Sequence, residues 1–288
     1  MDITKLSLDE TLPLTCSRAG VCCHGNVVML NPWEVYSLAK EKKMSPPAFR
    51  DGYCELGGAQ LKFEGKQNLQ GKKACNLYVN DFGCSVHVGR PLACRLYPIG
   101  RQIQNNSVQY MHQGTTFPCL TGCAEVLNLP KLTVGAYLLG QATEKFETAQ
   151  DAYLELMQNI ADMAFEFLLD TGLAASGDKK TVVLWRKMGK ESPNDLIKRI
   201  GAEWMNYLFV PDLGMSIENP LEFVQIHSEF LQEKVHEKFG AATTLIKFHE
   251  ASVLLMGLAL QLARGLGADP ENLAQFWSDT ANEHGALR

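Results

Sequence analysis

The sequence predicts an α+β protein, mainly α, in which a cysteine-rich metal-binding domain with short hairpins precedes a helical C-terminal domain. Three observations predict it. All nine cysteines fall between Cys16 and Cys123, and residues 124–288 hold none. Short strands and glycine-rich loops fill that first stretch. From Leu132 onward apolar residues recur at i, i+3, i+4 and i+7, the period of a helix with one buried face. The boundary is placed to give a cysteine-cluster domain over residues 1–128 and a helical domain over 129–288.

Residues 1–15 are an extended lead-in, and Pro13 disfavours a helix there. Cys16 to Gly25 is a loop, with Gly20 and Gly25 bracketing Cys22-Cys23. Asn31-Pro32-Trp33-Glu34 is a helix start: Asn31 caps, Pro32 sits at the first helical position, and Glu34 reaches back to the cap. Ser45-Pro46 repeats the signal, so helices are expected over 32–43 and 46–52. A strand is expected over 60–63. Leu77–Val79 and Ser85–Val88 flank Asn80-Asp81-Phe82-Gly83 as a hairpin, and Gln102–Gln104 with Val108–Met111 form a second. Tyr153, Leu156, Met157, Ile160, Ala164, Phe167 and Leu168 lie on one helix face ending near Gly172. Thr181–Trp185 fits a strand or the edge of a helix; further helices are expected over 194–209, 220–239, 242–265 and 270–283.

Composition narrows the function. The chain has 288 residues, 46% hydrophobic and 20% charged, enough for one full core or two modest ones. A net charge of -5 and a pI near 5.8 offer no basic face for nucleic acid. Residues 1–20 carry no apolar run behind a basic start, and Val253–Leu262 is shorter than the roughly 20 residues of a membrane span. The expectation is a cytoplasmic protein with neither membrane nor nucleic acid as partner. In a reducing compartment, clustered thiols are metal ligands or redox groups more often than disulfides. The odd cysteine count also leaves at least one thiol unpaired in an all-disulfide scheme.

Cys22 and Cys23 are adjacent, Cys16 precedes them by one loop, and Cys75, Cys84 and Cys94 arrive singly. Cys119 and Cys123 form a last pair, while Cys54 stands apart as a spare thiol. A zinc ribbon grips one ion with two close-spaced pairs; ligands gathered singly suit a polynuclear core. His24 and His87 neighbour cysteines, as ligands or as ordinary hydrogen-bonded residues. Arg90 and Arg95 are candidates to offset the negative charge of cluster thiolates, or to anchor loops through carbonyls. Glu233-Lys-Val-His236 is a single Glu-x-x-His, where a di-iron bundle uses two; it reads as a solvated face. Walker, Rossmann, hydrolase and HExxH signatures are absent from the sequence.

Cys16-x5-Cys22-Cys23, the Asn-Pro-Trp-Glu start, Gly83-Cys-Ser-Val-His87 and Arg90-Pro-x-x-Cys94-Arg95-x-Tyr97-Pro98 together resemble the YkgJ-type cysteine-cluster family, also described as the CxxCxxCC zinc- or iron-chelating domain. The likeness covers about residues 14–125. The first spacing departs from a strict CxxCxxCC, and His87 stands where the family often has tyrosine. The resemblance implies metal or iron–sulfur binding by Cys16, Cys22, Cys23, Cys75, Cys84, Cys94 and Cys119. Cys123 joins the metal set, and Arg90 and Arg95 are assigned to the cofactor's surroundings. The expected cofactor is an iron–sulfur cluster of the 4Fe–4S kind, with zinc as the alternative. The metal is expected to be structural or redox-active, with the helical half recruiting a protein partner. A more distant resemblance, to the flagellin lysine methylase family, implies a metal-dependent enzyme as a second reading; metal storage or delivery is a third. No catalytic residue is assigned.

Overall fold

The computed structural model describes residues 3–12, 20–104, 107–113, 128, 130–214 and 216–286. Three expected ligands, Cys16, Cys119 and Cys123, lie outside the described residues. In chain order, β1 (Ile3–Leu6) and β2 (Thr11–Leu12) precede α1 (Pro32–Glu41) and α2 (Pro46–Tyr53). Then come β3 (Cys54–Glu55), β4 (Gln60–Leu61), β5 (Tyr78–Val79), β6 (Gly83–Cys84), α3 (Leu92–Leu96), β7 (Gly100–Gln104) and β8 (Ser107–Gln113). After β9 (Leu132–Thr133) the chain is helical: α4 (Val134–Gly140), α5 (Glu144–Leu169), α6 (Lys180–Lys190), α7 (Pro193–Ile200), α8 (Ala202–Phe209), α9 (Pro220–Phe239), α10 (Leu245–Gly265) and α11 (Pro270–Glu283). The fold is mainly α with small sheets, as expected.

The helix starts follow their capping chemistry. The Glu34 N–H donates to Asn31 Oδ1 at 2.9 Å, and the Asn31 N–H donates to Glu34 Oε2 at 3.0 Å. Asn219 and Asp269 cap α9 and α11, each followed by proline. Two expectations are corrected. Residues 85–88 form a turn rather than a strand, because side chains take up the carbonyls a strand would pair: Arg90 Nη1 donates to His87 O at 2.6 Å and Arg95 Nη2 donates to Val88 O. The helix expected over 194–209 breaks in two at Gly201, whose φ of 88° the α-helix does not admit. Of the two readings of Thr181–Trp185 the helix holds, as the N-terminal half of α6.

β1, β8 and β7 make an antiparallel sheet in which Tyr110 pairs with both Leu6 and Arg101. The sheet is pinned to α5: Arg101 donates twice to Asp151, at 2.8 and 2.7 Å, and the Tyr110 hydroxyl donates to Glu147 at 2.9 Å. α10 is the central helix, packed on α5, α6 and α7, while α11 closes over α6. By length and composition alone α10 could cross a membrane, but twelve of its residues are buried among the other helices.

The buried apolar residues form one cluster reaching from Val28 to Ala286, so the cysteine segment rests directly on the helices. Polar ties cross the same contact. Gln261 Nε2 donates to Leu56 O at 2.8 Å, and Tyr137 OH donates to Tyr97 O at 2.7 Å. A side chain at Gly265 would place its Cβ 2.6 Å from Leu30 O, so glycine permits the close approach of α10 to the segment before α1.

His227 on α9 is fully buried; its Nε2 donates to Tyr207 O at 2.8 Å and its Nδ1 accepts from Tyr153 OH at 2.9 Å. Burial pushes its pKa down from 6.5 to about 4. Because the folded pKa lies below the unfolded one, the unfolded chain takes up the proton first as pH falls. The stabilisation is present above pH 6.5 and lost toward pH 4, about 3 kcal/mol in all. The melting temperature should therefore drop across that window, and His227→Gln should flatten the slope. Equal slopes in both proteins would contradict the assignment.

Candidate metal centre

Gly20 opens the loop that carries the first thiols. Its φ is 77°, and a Cβ there would stand 2.3 Å from the Tyr78 ring, so only glycine lets the loop close on β5. The Cys23 N–H then donates to Gly20 O at 2.9 Å, making a single turn of 3-10 helix over Val21–Cys23. The Cys75 N–H donates to Cys23 O at 2.7 Å, and His24 bridges to Ala74. These bonds lay the Cys22-Cys23 turn beside Cys75. His24 secures the turn, with Nδ1 donating to Gly20 O at 2.9 Å and its ring edge-on to Tyr78.

β5 and β6 bring in the next thiol. Cys84 pairs with Tyr78, and the Ser85 N–H donates to Leu77 O at 2.9 Å. Cys94 comes from α3, a short helix whose start is held from outside. The Leu92 N–H donates to Glu34 Oε1 at 2.6 Å, while the other oxygen of Glu34 serves the α1 cap. Glu34 is only 2% exposed, and burial raises its pKa to about 7. One carboxylate thus fixes the starts of α1 and α3 together. The sequence marked Glu34 only as a local cap; its second bond joins residues far apart in the chain, which no local pattern announces.

The structure therefore brings Cys22, Cys23, Cys75, Cys84 and Cys94 within electrostatic reach of one another, from four separate segments. None of the five is in a disulfide, and neither is Cys54. Cys54 is buried on β3, where among the described residues Cys75 is the one thiol whose charge it feels, and burial lifts its pKa to about 12. Within the set, Cys22 and Cys23 share a side-chain hydrogen bond. It lowers the Cys22 pKa to about 7, with a further lowering by the Arg90 charge, and raises that of Cys23. Burial lifts Cys75 to about 11 and Cys94 well above the thiol range. Buried thiols become thiolates when a cation supplies the compensating charge, so this donor set fits a bound metal group. Among the described residues no three Cys, His, Asp or Glu side chains stand at the spacing that would hold a single ion.

The two arginines anchor the wall of the site. Arg95 donates from Nε to Arg90 O at 2.8 Å and from Nη1 to Gln141 O at 2.6 Å, and it stacks 3.8 Å above the Phe146 ring. Burial lowers its pKa to about 10, which leaves it charged at neutral pH. Arg90 donates to His87 O and to Gln141 Oε1. Both guanidinium groups therefore hold the turn over residues 87–90 while keeping positive charge beside the thiols. Gln141 and Phe146, partners from the helical half, were not foreseen from the sequence.

No curated protein and no solved structure matches the chain. Residues 15–113 match the family model described as "CxxCxxCC: Putative zinc- or iron-chelating domain". The match covers the thiol-bearing segment, about a third of the chain, and the helices from α4 onward lie beyond it.

Proposed function

We propose that the converging thiols hold an iron–sulfur cluster that is structural or redox-active. The observation that carries this reading is the meeting of five reduced cysteines from four segments in one place. Cys22, Cys23, Cys75, Cys84 and Cys94 are the described donors; Cys16, Cys119 and Cys123 complete the candidate set. Eight candidate thiols exceed the four that one tetrahedral zinc takes. A cluster spans more space than an ion, so donors on separate loops can reach it. Arg90 and Arg95 supply positive charge against the thiolates. The family's chelating character agrees with either metal; the number and dispersal of the thiols favour the cluster. Protein made without oxygen should be brown, and dithionite should bleach its visible absorption if the cluster is redox-active. Colourless protein from the same preparation would overturn the reading.

A further inference from the structure

Far from the cysteines in sequence, the start of α6 and the start of α10 border a cleft of about 600 Å³. That size suits a small organic ligand. Its lining combines apolar, cationic and other polar residues. Leu173, Leu245 and Ile246 make an apolar wall, on which Ile246 is 72% exposed. Lys179 and Lys180 bring two ammonium groups, neither in an ion pair among the described residues. Ser176, Gly177, Asp178 and His249 complete the lining; a chain of hydrogen bonds from the Asp178 carboxylate, whose negative charge the two ammonium groups outnumber, holds His249.

That chain fixes the imidazole. Thr181 donates to Asp178 Oδ2 twice, through its N–H at 3.0 Å and its hydroxyl at 2.6 Å. The hydroxyl hydrogen is thereby committed, so the oxygen accepts from His249 Nδ1, 2.7 Å away. Nε2 is left as the imidazole's remaining polar atom, an acceptor in the neutral ring. Thr181 is fully buried, which makes the relay rigid, while His249 remains partly exposed to the cleft.

We propose that this cleft binds a phosphate monoester with an alkyl or aryl body. The phosphate oxygens accept from Lys179 and Lys180, a remaining phosphate hydroxyl donates to His249 Nε2, and the apolar body covers Leu173, Leu245 and Ile246. The proposal stands independently of the metal centre.

Hexyl phosphate titrated into the full chain is the test, followed by the imidazole NMR signals of His249, which His249→Gln assigns by removing them. A saturable shift is expected. Inorganic phosphate and hexanol, each offering half of the recognition, should bind about tenfold or more weakly, as should the Lys179→Ala/Lys180→Ala double variant. Both lysines are exposed, so circular dichroism of the double variant should match wild type. Absence of a saturable shift, or equal binding by the double variant, would overturn the proposal. So would retention on phosphatidylglycerol vesicles without a response to hexyl phosphate, since the face would then be a lipid contact.

Discussion

Cys84→Ser and Cys94→Ser are each expected to strip the chain of its metal and most of its solubility, whereas Cys54→Ala leaves both near wild type. The first two thiols belong to the converging set and arrive on elements with little support of their own: a pair of two-residue strands and a five-residue helix. Isolated pieces of that size are unstable in water. Metal–thiolate binding contributes folding free energy on the order of 10 kcal/mol in small cysteine domains, comparable with the whole stability of a typical protein. Serine is a poor substitute ligand for soft metals. Cys54 provides the internal control, because its buried sulfur packs between β3 and the core. Metal analysis and soluble yield check the three proteins side by side. Full metal content in Cys84→Ser and Cys94→Ser would remove both thiols from the site.

Trp185→Ala is expected to cost about 3–5 kcal/mol in urea unfolding, the range for emptying a large buried aromatic site. Trp185 is fully buried on α6, with the Phe165 ring edge-on at 5.1 Å and α11 packed across the same helix. The approach of α11 is close: a Cβ on Gly189 would stand 2.5 Å from the Ala274 methyl. The indole N–H has no hydrogen-bond partner among the described residues, so the loss is one of packing. A change within about 0.5 kcal/mol, as at a surface position, would show that α6 does not carry the core.

Helix starts were the most legible part of the fold, because their signal is local. Asn31-Pro32 and Asn219-Pro220 each marked the start to the residue. The face containing Tyr153, Leu156 and Ile160 is buried, while Phe167 is half-buried against Phe239 and Phe248. Less legible was anything decided by partners distant in the chain. The strand pattern of Ser85–Val88 yields to two arginines that claim its carbonyls, and β1 finds its partner at residues 110–113. The amphipathic run over 194–209 hid the break at Gly201, since both halves keep buried faces. In the site, the thiols announced themselves by type and clustering. The carboxylate of Glu34 and the Gln141 carbonyl did not, because each acts through one contact made only after folding.

Iron, zinc and acid-labile sulfide measured per chain, in protein produced and purified without oxygen, test the central claim most directly. An iron–sulfur cluster predicts iron and sulfide in comparable amounts with zinc well below one per chain. About one zinc per chain with no sulfide would contradict it.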